Sequence, residues 1–455
     1  MNRETFSLKK TALQVCLDSI RECAPDLLVR RYFSRVAREG GPDDFLFNRP
    51  KLFLLSIGKA AVPMALAAGE SLGWNRIEGM AVTGPEPEND EISLPLPLIR
   101  GGHPFPDENS ILAGRTAIER LETLKPSVPA LFLISGGASS LFECPQEGIA
   151  LEDLRELTGS LLRSGASIQE INKVRVGLSR VKGGRLLESV GRRETLTLIL
   201  SDVVGDDLEA VGSGPTVVRT GNVAKEAIEV LKRHHLWTDQ RSKIRDILEL
   251  EAGKWEERKI IPQARVELVG NNRLLCETAI KKLAACGFNT LFLGSSISGE
   301  ASETGRFMAD LAKEILVSGN PVPLPAAVVS GGETVVTFHG KKGGVGGPNQ
   351  EVALSFAIRA AGLKDTVLVS MDTDGVDGPT PNAGGAVDGV TFQIIKDKGV
   401  DPCEELERHN AAGALIEASA LVMTGSTGNN LNDLRILLVG KPEKGNIPWE
   451  EGEKR

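Results

Sequence analysis

The chain has 455 residues, 41% of them hydrophobic, and a formal charge of −8. That length exceeds what one hydrophobic core usually serves, so two domains are expected. The acidic balance argues against a nucleic-acid partner, whose phosphates call for a basic surface, and disfavours an anionic membrane surface.

In chain order, the opening MNRETFSLKKTALQVCLDSI is charged where a signal peptide is apolar, and no apolar stretch is long enough to span a bilayer. A soluble, cytoplasmic protein is expected. The six cysteines include no CxxC pair and the five histidines no HxxxH or HExxH spacing. A thiolate or imidazole metal site is therefore not expected, and the cysteines read as reduced. A helix over 5–37 could pack on either domain. Short β-branched runs between amphipathic segments then predict strands at LFLLSIG (52–58), GMAVTG (79–84), ALFLISGG (130–137), TLTLILSDV (195–203), VELVG (266–270), NTLFLGS (289–295), AAVVSGGE (326–333), TVLVSM (366–371) and LVMTGS (421–426). This alternation marks an α/β fold with mainly parallel strands. Residues 221–262 are charged, helical in period and poor in strand signals, which predicts a domain junction and domains at 1–245 and 246–455.

Ligands of open α/β sheets sit beyond the carboxyl ends of the strands. There the chain places Lys59, the SGGASS turn with Gly136, Gly137, Ser139 and Ser140, then Asp202, the SGGE turn with Gly331, Gly332 and Glu333, and the cluster Asp372, Asp374 and Asp377. Each Gly-Gly pair reads either as bare N–H groups facing an anion such as phosphate or as a tight turn needing glycine for φ alone. HGKKGGVGGPNQE (339–351), with Gly346 and Asn349, reads as a flexible loop over phosphates or as a surface loop. Lys173, Arg175, Arg180, Lys182 and Arg185 form either an anion site or a solvated basic helix. Asp202 could act as general base toward a substrate hydroxyl, hold Mg²⁺, or cap a helix. The chain has no GxxxxGK[ST], no GxGxxG after a strand, no HRD or DFG and no GxSxG. Acids for a metal, glycine turns for phosphates and cations for transferred charge are together what phosphoryl transfer requires.

The segments GKAA, GGHPFPDENS, LISGGASSL, INKVRVGLSRVKGGRL, LSDVVGDDLEAVGSGPT, SGGETVV, GGPNQEVAL, DTDGVDGPTPNAGG and TGSTGNNLNDL run in order from about residue 50 to about residue 435. Together they resemble the glycerate 2-kinase family, whose C-terminal portion, about 325–435 here, is the MOFRL domain. The resemblance implies ATP- and Mg²⁺-dependent phosphorylation of D-glycerate at its 2-hydroxyl. It also implies two α/β domains, the N-terminal one Rossmann-like with a mainly parallel sheet and the C-terminal one smaller, with the active site in the cleft between them.

Carried onto this chain, the family's catalytic lysine falls on Lys59, its catalytic acid on Asp202 and its DTDGxDG turn on Asp372, Asp374 and Asp377, the expected metal ligands. Residue chemistry joined to the resemblance assigns Arg175, Lys182 and Ser139 to the substrate. It assigns Gly136, Gly137, Ser140, Gly331, Gly332, Glu333, Gly346 and Asn349 to ATP. Gly177 stands where the family commonly has His, and Pro348 where it commonly has Arg; either a cation such as Arg175 or Lys342 offsets that loss or the substrate range differs. The alternatives are an NAD(P)H-dependent hydroxypyruvate reductase and a non-catalytic nucleotide- or metabolite-binding regulator. Expected partners are small molecules, with no nucleic acid and no membrane; a homodimer is compatible with the sequence.

Overall fold

The computed structural model describes residues 3–85, 93–219, 221–238, 242–253, 264–338 and 343–440. The chain divides into two compact units, Pro25–Val269 and a second formed by Met1–Ala24 with Gly270–Arg455. Both are α/β.

The first unit carries β1 (Leu52–Ile57), β2 (Ile77–Thr83), β3 (Leu98–Arg100), β4 (Ala130–Ile134), β5 (Thr195–Leu200) and β6 (Ala264–Gly270). Their order across the sheet is β3-β2-β1-β4-β5-β6, and β1 to β5 pair in parallel. Every residue of β1, β4 and β5 is buried. Helices cover both faces of such a sheet, so its strands are continuous apolar runs rather than alternating ones. This is the strand order of dinucleotide-binding sheets, in which the winding reverses between β1 and β4 and opens a crevice at their carboxyl ends.

The charged stretch 221–262 is not the expected junction. Helix Val223–Arg233 buries Val223, Ala224, Ala227, Val230 and Leu231, an apolar stripe at helical spacing. With helices Leu151–Arg163, Ile168–Gly177 and Ser242–Gly253 it encloses a separate core that includes Leu157, Ile171 and Leu248. Gly177 lies where these helices approach. A Cβ there would stand 2.9 Å from Ala227 Cβ and 3.1 Å from Leu248 Cδ2, so the imidazole common in the family has no room.

The second unit carries β7 (Asn289–Glu300), β8 (Ala326–Val335), β9 (Thr366–Asp372), β10 (Gly384–Asp388), β11 (Leu421–Val422) and β12 (Asp433–Val439), in the order β11-β10-β9-β12-β8-β7. This sheet is mixed. β7 and β8 run parallel, whereas β12 is antiparallel to both β8 and β9. Wholly buried β12, DLRILLV, is central. It is missing from the expected strands, as are short β3 and glycine-led β10.

The opening segment is two helices, Arg3–Glu22 and Pro25–Glu39. Pro25 starts the second, where its missing N–H costs nothing. The first belongs to the second unit: Lys9 pairs with buried Asp388 at 3.1 Å, and Asn429 Nδ2 donates to the carbonyls of Ile20 and Cys23. Among the described residues no helix is long and apolar enough to cross a membrane.

Candidate functional site

The reversal point of the first sheet gathers the tips of β1, β4 and β5. Lys59 donates its backbone N–H to the Gly136 carbonyl at 2.9 Å, and Ala60 N–H donates to Ser135 Oγ at 3.0 Å. These bonds tie the β1 tip to the β4 tip. Glycine at 136 and 137 is a requirement of close approach. A Cβ on Gly136 would stand 1.9 Å from Asp202 Oδ2, and one on Gly137, where φ is +81°, 3.2 Å from Lys59 Cγ and 3.3 Å from His103 Cδ2.

The Asp202 carboxylate, the Lys59 stem and the His103 ring thus border a single two-residue turn. Lys59 is open to solvent and Asp202 half-buried. Burial raises the Asp202 pKa above the usual carboxylate value, and the Lys59 charge acts the other way. Such an acid can accept a proton from a hydroxyl next to a fixed cation. Ser140 is turned inward, its Oγ 3.2 Å from the Gly137 carbonyl. It closes the turn and does not face a ligand.

The basic stretch divides. Lys182, expected to meet substrate, has no exposed surface. Its Nζ donates to Glu143 Oε2 at 2.6 Å and to the Phe142 carbonyl at 3.1 Å. Glu143 Oε1 accepts from Ser179 Oγ at 2.5 Å and from Cys144 N–H at 2.9 Å. Burial lowers the Lys182 pKa and Glu143 counters it. Arg175 and Ser139 do share a hollow, with Glu143, Arg155, Thr158 and Phe105. Burial lowers the Arg175 pKa while Glu143 raises it. Lys182 therefore neutralises the carboxylate beside Arg175 and cannot itself touch a ligand.

In the second unit several expectations are corrected. SGGE is not a turn but the interior of β8: Gly331 and Gly332 are opposite Leu434 and Asp433 of β12, and Glu333 is opposite Ser298 of β7. Gly331 is there because Asn272 lies against it, a Cβ falling 1.7 Å from Asn272 Oδ1. Pairing with β12 and β7 builds this stretch into the sheet instead of leaving it as the phosphate-facing turn that was expected.

Asn349 is equally committed, donating to Asp377 and Asp433 and accepting from Ser370 Oγ at 2.6 Å. The described part of the glycine-rich loop is pinned: Gly344 N–H donates to the Arg408 carbonyl, Val345 N–H to Asn410 Oδ1, and Gly346 packs on Ala411. Lys342 lies outside the described residues. Pro348 opens helix Pro348–Arg359.

The three aspartates also part company. Asp377 accepts the N–H groups of Asn349 and Gln350 at 3.0 and 2.8 Å, anchoring that helix start, and burial pushes its pKa up to about 7 against those bonds. It is a structural anchor. Asp372 and Asp374 stay together, Asp372 Oδ1 accepting the Asp374 N–H at 3.0 Å. Burial and the Asp374 charge hold Asp372 above the usual carboxylate value. Among the described residues no three His, Cys, Asp or Glu side chains form a metal group. A pair of carboxylates is still a fitting donor set for Mg²⁺, which takes one or two from protein and the rest from phosphates and water.

Behind the pair lies Asp433, which the sequence reading missed. Its Oδ2 accepts from Thr334 N–H and from fully buried Arg435. The signal was available as an acid opening the apolar run of β12. His103 had a weaker one, a histidine after Gly-Gly at a three-residue strand, and Glu143 none.

Comparison with known proteins agrees along the chain. Residues 11–249 match a domain of unknown function, DUF4147, and residues 326–433 match the MOFRL family. The chain is 40% identical over 433 residues to the D-glycerate 2-kinase of Thermotoga maritima, covering 95% of this chain and 99% of that one. It is 34% identical over 384 residues to a putative hydroxypyruvate reductase of Agrobacterium vitis, covering 84% and 98%. A crystal structure of glycerate kinase from Thermotoga maritima matches with a TM-score of 0.85 at 40% identity, covering 95% of this chain and 99% of that chain.

Proposed function

The chain belongs to the glycerate 2-kinase family with its MOFRL domain, and we propose that it transfers the γ-phosphoryl group of ATP to the 2-hydroxyl of D-glycerate, giving 2-phosphoglycerate and ADP. The observation that carries the reading is the turn at Gly136 and Gly137, bordered by an exposed lysine and a half-buried acid of raised pKa.

Asp202 takes the hydroxyl proton, and Lys59 faces the charge that develops on the phosphoryl oxygens, a large term in such reactions. Arg175 and Ser139 suit the glycerate carboxylate and hydroxyls. In the second unit Asp372 and Asp374 are the residues that would hold Mg²⁺, which when bound screens the triphosphate. Neither Lys182 nor Asp377 contacts a ligand in this scheme.

Gly136→Ala should lower kcat about 10²-fold, because its methyl would displace the Asp202 carboxylate and misplacement by about 1 Å costs that much. Its melting temperature should change little, and steady-state kinetics beside a thermal melt check both.

The reductase reading has one feature in its favour, the dinucleotide-type strand order. Against it, the turn after β1 reads GKAAVPMA and lacks the glycine spacing that seats a pyrophosphate. Purified protein given D-glycerate, ATP and Mg²⁺ should form ADP, and given hydroxypyruvate should leave NADH and NADPH unoxidised. Oxidation without ADP formation would reverse the choice. Absence of both activities would favour a binding protein.

A further inference from the structure

His103 is not needed by the scheme above, yet it borders the same turn. A methyl group at Gly137 would stand 3.3 Å from His103 Cδ2 and 3.5 Å from its Nε2, so that ring edge borders the turn from the side where the Lys59 stem also approaches. The loop carrying it is fixed at both ends. Gly101 N–H donates to the Thr83 carbonyl at 2.9 Å and Gly102 N–H to Ser110 Oγ at 3.1 Å. Asp107 caps helix Glu108–Thr123 through Ser110, and Arg155 Nη2 donates to the Pro106 carbonyl at 2.9 Å.

Within this fixed loop the His103 side chain is exposed. Burial of its surroundings and the Lys59 charge hold the His103 pKa below the usual histidine value. In its neutral form the ring offers one N–H and one lone pair.

We infer that His103 is a third catalytic group, its Nε2–H hydrogen-bonding an oxygen of the phosphoryl group in transit beside Lys59. The inference rests on the kinase reading. In the step itself the glycerate 2-hydroxyl oxygen forms the new bond to the γ-phosphorus, and its proton passes to Asp202. The bond from that phosphorus to the β–γ bridging oxygen breaks, with its electron pair leaving on ADP. His103 transfers no proton. A fixed neutral donor stabilises charge on the phosphoryl oxygens without a further full charge beside Lys59.

The test pairs kinetics with imidazole NMR of the full-length chain, whose five histidines give few signals and whose His103 signal is assigned by its loss in His103→Gln. His103→Ala should lower kcat about 10²-fold or more, with KM for glycerate within about threefold of wild type. His103→Gln, which keeps an N–H donor, should recover at least about tenfold of that loss. In wild type the His103 signal should move with added 2-phosphoglycerate and much less with D-glycerate.

A His103→Ala enzyme retaining more than about half the wild-type kcat would overturn the inference, as would a His103 signal indifferent to 2-phosphoglycerate. The NMR arm uses wild type, so a variant that fails to fold does not shield the idea. Failure of the kinase reading looks different, as a wild type that forms no ADP.

Discussion

Asp202→Asn should lower kcat by about 10²–10⁴-fold, the range for loss of a positioned general base, and should not destabilise the protein. The two effects share one cause. Burial holds the Asp202 pKa above its ordinary value, so the folded chain resists ionising a group that catalysis needs ionised. In wild type, kcat/KM should therefore fall as pH drops through that raised pKa, above the usual carboxylate range.

For stability the sign is opposite to that of a salt-bridged acid. The folded state binds the Asp202 proton more tightly than the unfolded state, so the penalty is absent below the unfolded pKa and complete above the folded one. An amide at this position escapes it. The variant should melt at or above the wild-type temperature at neutral pH, with any advantage vanishing in acid. Melts across pH beside pH–rate profiles test both arms; a variant with wild-type kcat would remove Asp202 from the chemistry.

Lys182→Met should destabilise by about 3–5 kcal/mol, the cost of breaking a buried ion pair and leaving one partner uncompensated. At about 2–4 °C per kcal/mol for a unit of this size, the melting temperature falls by roughly 10 °C. The stranded group is Glu143, whose remaining hydrogen bonds among the described residues come from Ser179 Oγ and Cys144 N–H, with the Arg175 charge nearby. Adding Glu143→Gln should return much of the loss, because the uncompensated charge is then gone. If Lys182 instead gripped substrate, its loss would raise KM and leave the melt unchanged. Denaturant unfolding of the single and double variants separates the two.

Why Lys182 misleads from sequence explains much of what could and could not be read. Five cations in a short stretch look like an anion site, yet a sequence does not state which cation meets a carboxylate in the interior. Glu143 is distant in sequence and carries no motif. Asp377 misleads in the same way: three acids in one turn look like a metal cradle, but one of them turns inward to a helix start supplied by Asn349 and Gln350. SGGE, read as a turn, is strand interior, and it carries glycines because Asn272 and the Ile297 backbone crowd its α-carbons, a packing demand that produces the same dipeptide as a phosphate loop.

The parallel sheet was legible because its buried strands are continuous apolar runs ending in small or polar residues. The same rule places Lys59, Gly136 and Asp202 at strand tips, whereas a catalytic role for Lys59 comes only with the family resemblance. The mixed sheet was harder. β10 begins with two glycines and β12 follows a loop rich in asparagine, so neither showed the expected pattern. The helical period of 221–262 is matched where the structure describes it, at Val223–Arg233 and Ser242–Gly253, but the charge of the stretch hides the apolar stripe that packs these helices into the first unit.

The most direct measurement is phosphorus NMR of the product formed from D-glycerate, ATP and Mg²⁺, without proton decoupling. Phosphate on the 2-oxygen couples to the single C2 proton, so the account predicts a new phosphomonoester doublet accompanied by ADP. A triplet, from the two C3 protons of a 3-phosphate, or spectra with ATP unchanged would contradict it.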